Sequence, residues 1–418
     1  MTTAIVKKPE WIEKLPSGWA FLPVRAVLKE RKEKNTELEE SNILSVMKGI
    51  GVIRYEDKGN VGNKSSERPE AYKIVRKNDL VLNSMNLSIG SVGIAREDGV
   101  TSSVYIIYQA RPKVADPDFY HYLFQTTSFQ RHLASYGRGI MELREAVKER
   151  DIRNQPVVVP PLGTQKRIAD FLNEKTKIIN ELIEKKERLI ELLREKRAAL
   201  ITRAVTKGLD PNAKLKPSGI DWLGDIPEGW EVKKIKHITS ANKKSLSEDS
   251  TDPDYEFDYV DIGNVNSEGE ILELQNYFFA NAPARARRLA ENGDVILSTV
   301  RTYLRSMARI ENARGLVFST GFAIFHPTKI LASQLYWSIQ SEIFLAHVMA
   351  NSTGVNYPGI NEQKLSSISL PIPSEQEQKQ IADFLDAETT KIDKAVELIE
   401  SQIEKLKEYR SSLIYSMV

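Results

Sequence analysis

The sequence predicts a mixed α/β (α+β) chain of two small mixed domains and two long helices, laid out as an internal repeat. The pentapeptide IADFL stands at Ile168–Leu172 and again at Ile381–Leu385, an offset of 213 in a chain of 418 residues. A tryptophan-bracketed turn, WIEKLPSGW at Trp11–Trp19 and WLGDIPEGW at Trp222–Trp230, repeats at an offset of 211. The turn opens each half and the pentapeptide closes it. Behind each pentapeptide lies a long charged segment with a helical apolar stripe.

In chain order, the Pro-Gly turn between paired tryptophans is read as a structural anchor in preference to a binding element. The first block, 20–155, shows short β-type runs at Asn42–Val46, Asp79–Leu82, Val92–Ala95 and Val104–Tyr108. A helix is expected over Phe119–Tyr136, followed by a loop with Gly137, Arg138 and Gly139. VVVPPLGTQKR then leads into the first long helix. Its expected seam is Ile168, Leu172, Ile179, Leu182, Leu189, Leu193 and Leu200, in heptad-like steps. Thr164 is a weak start signal, and Gly208 with Pro211 a stop. The second block, 231–370, repeats the plan. Gly293–Leu297 matches Asn78–Leu82, Trp337–Phe344 matches Tyr122–Phe129, and Ser352–Gly354 matches Gly137–Gly139. Ser374 and Glu377 form a capping box for the second long helix. Its seam is Val396, Ile399, Ile403, Leu406, Leu413 and Met417. The resulting divisions are 1–155, 156–210, 211–370 and 371–418.

Charge points to pairing of the two helices. Pro156–Ile220 carries 14 Lys and Arg against 8 Asp and Glu, whereas Pro371–Val418 carries 6 against 10. Opposite charge beside apolar seams favours one mixed pair over two self-pairs. The competing reading is two solvated faces, but it leaves both seams without a burial partner.

Composition limits the chemistry. With no cysteine there is no disulfide framework and no thiolate metal site. No apolar run is long enough to span a membrane, and the N-terminal residues lack a signal peptide's apolar core, so a cytoplasmic location is expected. There is no GxGxxG and no GxxxxGK[ST] loop to cradle a cofactor or ATP. No NPPY-like or DPPY-like tetrapeptide is present; VPPL at Val159 is only superficially similar. Pro253, Asp254 and Glu256 faintly suggest a nuclease motif, but Phe257 stands where lysine is needed, and an acidic loop is the better reading. Five histidines show no metal spacing. No catalytic residue and no metal ligand is therefore expected.

With VPPLGTQKRIADFL, PIPSEQEQKQIADFL, the helices behind them and the linker GLDPNAKLKPSGIDWLGDIPEGW, the whole chain resembles the DNA-specificity subunit of type I restriction–modification systems. One departure is Thr164–Gln165, where the family has Glu-Gln, as in Glu377–Gln378. The resemblance implies that each block is a target-recognition domain reading one half of a split site in double-stranded DNA. It implies an antiparallel coiled coil that holds the domains apart and sets the spacer. It also implies two docked methyltransferase subunits and a restriction–translocation subunit as partners. S-adenosylmethionine, ATP and Mg would then belong to those partners, and no cofactor to this chain.

Candidate DNA contacts follow from chemistry: Lys and Arg for phosphates; Asn, Arg, Ser and Thr for groove edges. In the first block these are Arg54, Tyr55, Lys58, Asn63, Lys64, Arg68, Asn83, Asn86, Ser88 and Arg138. In the second they are Arg285, Arg287, Arg288, Arg301, Thr302, Tyr303 and Arg305. Asp221–Leu370 holds 14 basic against 19 acidic residues, so an arginine cluster there stands out from its surroundings. For any one residue, solvated surface is the competing reading. The alternatives from other classes are a fused methyltransferase or nuclease with unrecognised motifs, which would bind S-adenosylmethionine unaided, and a bare coiled-coil scaffold, which gives the divergent blocks no purpose.

Overall fold

The computed structural model describes residues 15–59, 69–85, 87, 90–136, 147–354 and 357–418. They fall into two compact units, 1–186 with 401–418, and 187–400.

Both units are built on one plan. In the first, strand Ala20–Pro23 pairs antiparallel with Pro156–Val159. Its central sheet has the strand order 28–30, 105–110, 80–83, 92–94. In the second, Glu231–Lys234 pairs with Ser369–Ile372. Its sheet runs 239–241, 322–327, 295–298, 307–309, the same order. The two sheets share a buried aspartate. Asp79 Oδ2 accepts from Arg76 N at 2.8 Å, and Asp294 Oδ2 from Glu291 N at 2.7 Å. The preceding residue is left-handed in both, Asn78 at φ 70° and Gly293 at φ 90°, which closes the turn into the central strand. The units differ beyond this sheet. The second adds a five-stranded sheet, 244–245, 286–289, 316–319, 256–260 and 275–278; the first has the hairpin 44–47/51–54 and the pair 73–75/99–101.

The helix expected over Phe119–Tyr136 is two helices, Pro117–Gln125 and Thr127–Ala134; its counterpart is Ala332–Gln340 and Glu342–Ala350. The break falls on Thr126 and Ser341. Each hydroxyl donates to the carbonyl three residues back, at 2.8 Å, closing one helix and freeing the backbone to turn.

The long helices are Leu162–Lys207 and Glu375–Met417. Within the first unit Lys186 Nζ donates to Gln402 at 2.6 Å and Arg410 to Asn180 at 2.5 Å. Within the second, Arg194 pairs with Glu400 at 3.1 Å and Arg197 with Asp393 at 2.9 Å. In each unit one number rises as the other falls, so the helices pair antiparallel; in the second unit the contacts are basic against acidic, and in the first a cation meets a side-chain amide.

The first seam needs correction. Leu182 and Leu189 are exposed, and Ile183 and Ile190 are buried in their place. The true seam passes through Leu172, Thr176, Ile179, Ile183, Ile190, Arg197 and Ile201, and its polar members hide it from an apolar count. Arg197 is tolerated because Asp393 pairs with it. Thr176 is tolerated because its hydroxyl bonds Leu172 O at 2.7 Å, as Thr389 bonds Leu385 O at 2.7 Å.

The helix starts also differ. Ser374 and Glu377 form the capping box, with Ser374 Oγ 2.9 Å from Glu377 Oε2. Thr164 is no cap, because the helix begins two residues earlier. The following glutamine does the same work in both halves. Buried Gln165 accepts from Asp116 N at 2.8 Å and donates to Val114 O and Pro160 O; buried Gln378 accepts from Leu331 N at 2.9 Å and donates to Pro373 O. Gly208 at φ 74° ends the first helix. Trp230 is fully buried beside it, as the anchor reading expects, and Trp19 is half-buried; Trp11 lies outside the described residues.

Candidate nucleic-acid interface

In the second unit, strand Val295–Ser298 turns through a tight loop and returns as Met307–Arg309. The middle of the loop is one 3-10 turn, Thr302–Leu304, flanked by Arg301 and Arg305 at φ 50° and 55°. Left-handed backbone crowds a Cβ against the next carbonyl, so non-glycine residues there need compensating contacts. Both arginines have them. The Arg301 guanidinium lies over the Tyr357 ring, 4.7 Å from its centre. Arg305 forks onto Glu342, with Nη2 2.9 Å from Oε2 and Nη1 against Oε1. Between them Thr302 is buried, its hydroxyl 3.1 Å from Ser352 Oγ.

The segment Tyr357–Ile360 forms the floor. Ile360 N donates to Thr299 O at 2.8 Å, Thr302 N to Pro358 O at 3.4 Å, and Val300 bridges Gly359. Gly354, at φ 111°, is needed here, because a Cβ on it would lie 3.0 Å from Tyr357 O. The turn at Thr320–Gly321 ties in a third piece. Thr320 N donates to Arg285 O, and Gly321 O accepts from Thr299 N, both at 2.8 Å. The Arg285 side chain is exposed and carries no ion pair among the described residues. With the loop fastened at both ends, Tyr303 is 47% exposed, Leu304 39% and Tyr357 65%. Cations beside exposed aromatic and apolar side chains can serve phosphates and bases together.

The other two arginines in this group are used inside the unit. Arg287 pairs with Glu248, donates to Ala286 O at 2.9 Å and lies over the Phe279 ring. Arg288 donates to Asn242 Oδ1 and Phe322 O, and burial pushes its guanidinium below its ordinary pKa. These two hold strands together.

In the first unit, exposed Arg54 forks onto Glu97 at 2.7 and 2.6 Å, which raises the arginine's pKa and holds the carboxylate below the usual range. Lys58 lies over the Tyr55 ring at 4.9 Å. Asn83 is buried, and its Oδ1 accepts from Met85 N at 3.2 Å, so it shapes the turn from within. Asn63, Lys64, Arg68, Asn86, Ser88 and Arg138 lie outside the described residues. Sequence reasoning passed over Leu304, Gly354 and Tyr357. The signal for Tyr357 was an aromatic in a Gly/Pro/Asn-rich loop (STGVNYPG), unlike the inward-facing aromatics of the strands. Among the described residues, no group of three or more His, Asp and Glu side chains is arranged to hold a metal ion, and no helix is long and apolar enough to cross a membrane.

The family model for the type I restriction–modification DNA specificity domain matches residues 17–192 and again 227–408. The chain belongs to this family. The two matches fall on the two halves of the repeat. The MjaVIII specificity subunit of Methanocaldococcus jannaschii is 23% identical over 348 residues, 82% of this chain and 78% of its own length. The putative MjaX specificity subunit of the same organism is 22% identical over 323 residues, 73% and 68% of the two lengths. Two solved structures share the fold. A chain from work on complex assembly and conformational transition of a type I restriction–modification system has a TM-score of 0.73 at 15% identity, covering 97% of this chain and 99% of its own. The HsdS subunit from Thermoanaerobacter tengcongensis has 0.55 at 16% identity, covering 97% of each.

Proposed function

We propose that this specificity-family chain recognises a bipartite DNA sequence, each half reading one half-site, with divisions at 1–155, 156–210, 211–370 and 371–418. The observation that carries this is a duplicated frame bearing unlike loops. Sheet order, buried aspartate, helix break and helix-starting glutamine all recur, while NSMNLSIGS in one half stands where STVRTYLRS stands in the other. A shared frame with exchangeable loops suits two readings of one kind of target. The exposed second-unit set, Arg285, Arg301 and Tyr303, supplies the contacts of one half-site; Arg54, Tyr55 and Lys58 belong to the other.

In this reading the chain itself transfers no methyl group and cuts no strand. Methyltransferase subunits dock on the helix pair, two per chain, and restriction subunits join them. The whole assembly acts on DNA in the cytoplasm. The length of the helix pair sets the spacer. Four residues inserted after Leu172 add about 6 Å at 1.5 Å per residue. With base pairs about 3.4 Å apart, the half-sites should separate by one or two base pairs and keep their sequences. Sequencing the modified bases in cells carrying the insertion reads this out; an unchanged spacer at full activity removes the helices from that role.

A further inference from the structure

The loop 299–306 has two arginines, and each is held in place by a neighbour. Arg305 is forked onto Glu342, and Arg301 is stacked on Tyr357. Two of the six non-glycine residues with positive φ among the described residues are these two arginines, in one five-residue turn. Strain of this kind persists where surrounding contacts over-determine it. What it achieves here is visible in the residues between. Thr302 is drawn inward, and Tyr303 and Leu304 are lifted into solvent on a turn fixed at both ends.

An exposed tyrosine next to an exposed leucine at the summit of a fastened turn is unfavourable in water alone. Its ordering cost is met before any partner arrives, which favours binding. The setting names the partner's charge. Arg301 stands in the turn, and the backbone of Arg285 is tied to the loop through Thr320–Gly321, in a stretch with 14 basic against 19 acidic residues, so these cations stand out from an acidic surrounding. The other half carries Ser88–Ile89 at the matching positions, so its sequence also has an aliphatic residue where Leu304 stands.

Resting on the reading of the chain as a DNA-specificity subunit, we infer that Tyr303 and Leu304 are the apolar element that enters the groove of one half-site and touches base edges. Arg301 and Arg285 hold the flanking phosphates. Aliphatic and aromatic side chains contact thymine methyls or wedge against a base step, and such contacts carry sequence information that phosphate contacts lack.

The test uses the chain assembled with its methyltransferase subunits and the bipartite site defined by the wild-type methylome. Tyr303→Ala and Leu304→Ala should each weaken binding to that site about tenfold and relax one half-site, with the salt dependence of binding unchanged. Arg285→Ala should reduce the salt slope by about one and weaken all sequences alike. Independently of any variant, 5-iodouracil at the thymine positions of that half-site should cross-link to Tyr303. Unchanged affinity and half-site preference in both alanine variants would overturn the inference, as would cross-linking of this tip to a methyltransferase subunit. A wild-type assembly that binds no bipartite site would overturn the functional reading itself, a distinct outcome.

Discussion

Residues 83–92 and 298–307 stand at matching places in the two halves of the sequence, at an offset of 215. Asn83 N donates to Ser91 O at 3.0 Å, and Ser298 N to Ser306 O at 2.8 Å. Val147 N reaches Ser84 O at 3.1 Å as Ile360 N reaches Thr299 O at 2.8 Å. Both turns close through a left-handed residue, but that residue is Gly90 at φ 85° in one and Arg305 at φ 55° in the other. Glycine takes this conformation without cost. Arginine is held in it by Glu342, whose counterpart in the first half is Thr127. The frame dictates the backbone, while the side chain on the turn varies as long as a local contact offsets the strain.

The largest effect should come from breaking what the halves share. Gln165→Ala strands one backbone N–H and two carbonyls in a buried site and should cost about 3 kcal/mol; Gln378→Ala strands one fewer group and should cost about 2 kcal/mol. Hydrogen exchange should localise the first loss to 1–186 and the second to 187–400.

A second contrast concerns acid. At matching positions stand His121, against Gln125 Nε2 at 3.1 Å, and Tyr336, whose hydroxyl donates to Glu268 O at 2.9 Å. Burial pushes the His121 imidazole down to about 4, and its Nδ1 is buried without a partner. In the unfolded chain the ring takes its proton near pH 6.5, so this stability is present above that pH and drains away as pH falls toward 4. Between pH 7 and 5 the first unit should lose about 1–2 kcal/mol, and His121→Tyr should abolish that slope in urea titrations; a slope that survives the substitution would assign it to other groups.

The smallest effects sharpen the loop comparison. Gly90→Ala meets both a left-handed backbone and Gln130 Nε2 3.0 Å from the new Cβ, and should cost about 1–2 kcal/mol. Arg305→Ala keeps the strain and loses a half-exposed ion pair, costing about 1 kcal/mol; Arg305→Gly loses the pair but relieves the strain, and should stay within about 0.5 kcal/mol of wild type. If the glycine variant melts below the alanine variant, the left-handed turn is not what Arg305 shares with Gly90.

The repeat, the helix pairing and the family were legible because they are written in contiguous residues: IADFL twice, opposite charge, a capping box. The seam was displaced at Leu182 and Leu189 because Thr176 and Arg197 interrupt it, and a polar residue joins a seam only when a partner such as Asp393 satisfies it. The break at Thr126 and Ser341 depends on a hydroxyl finding a carbonyl three residues back, which helical periodicity does not express. For the interface, residue type located the arginines but not their direction. Arg288 faces Phe322 O and Arg305 faces Glu342, across 34 and 37 residues of chain, and nothing local announces either contact. Tyr357 joined the site by the same long-range route.

On the proposed function, one frame carries two independent readings. Methylome sequencing of cells in which Arg301–Arg305 is replaced by the first half's Asn86–Gly90 tests it most directly. The account predicts a changed or lost preference at one half-site, with the other half-site and the spacer untouched. A simultaneous change at both half-sites would contradict it.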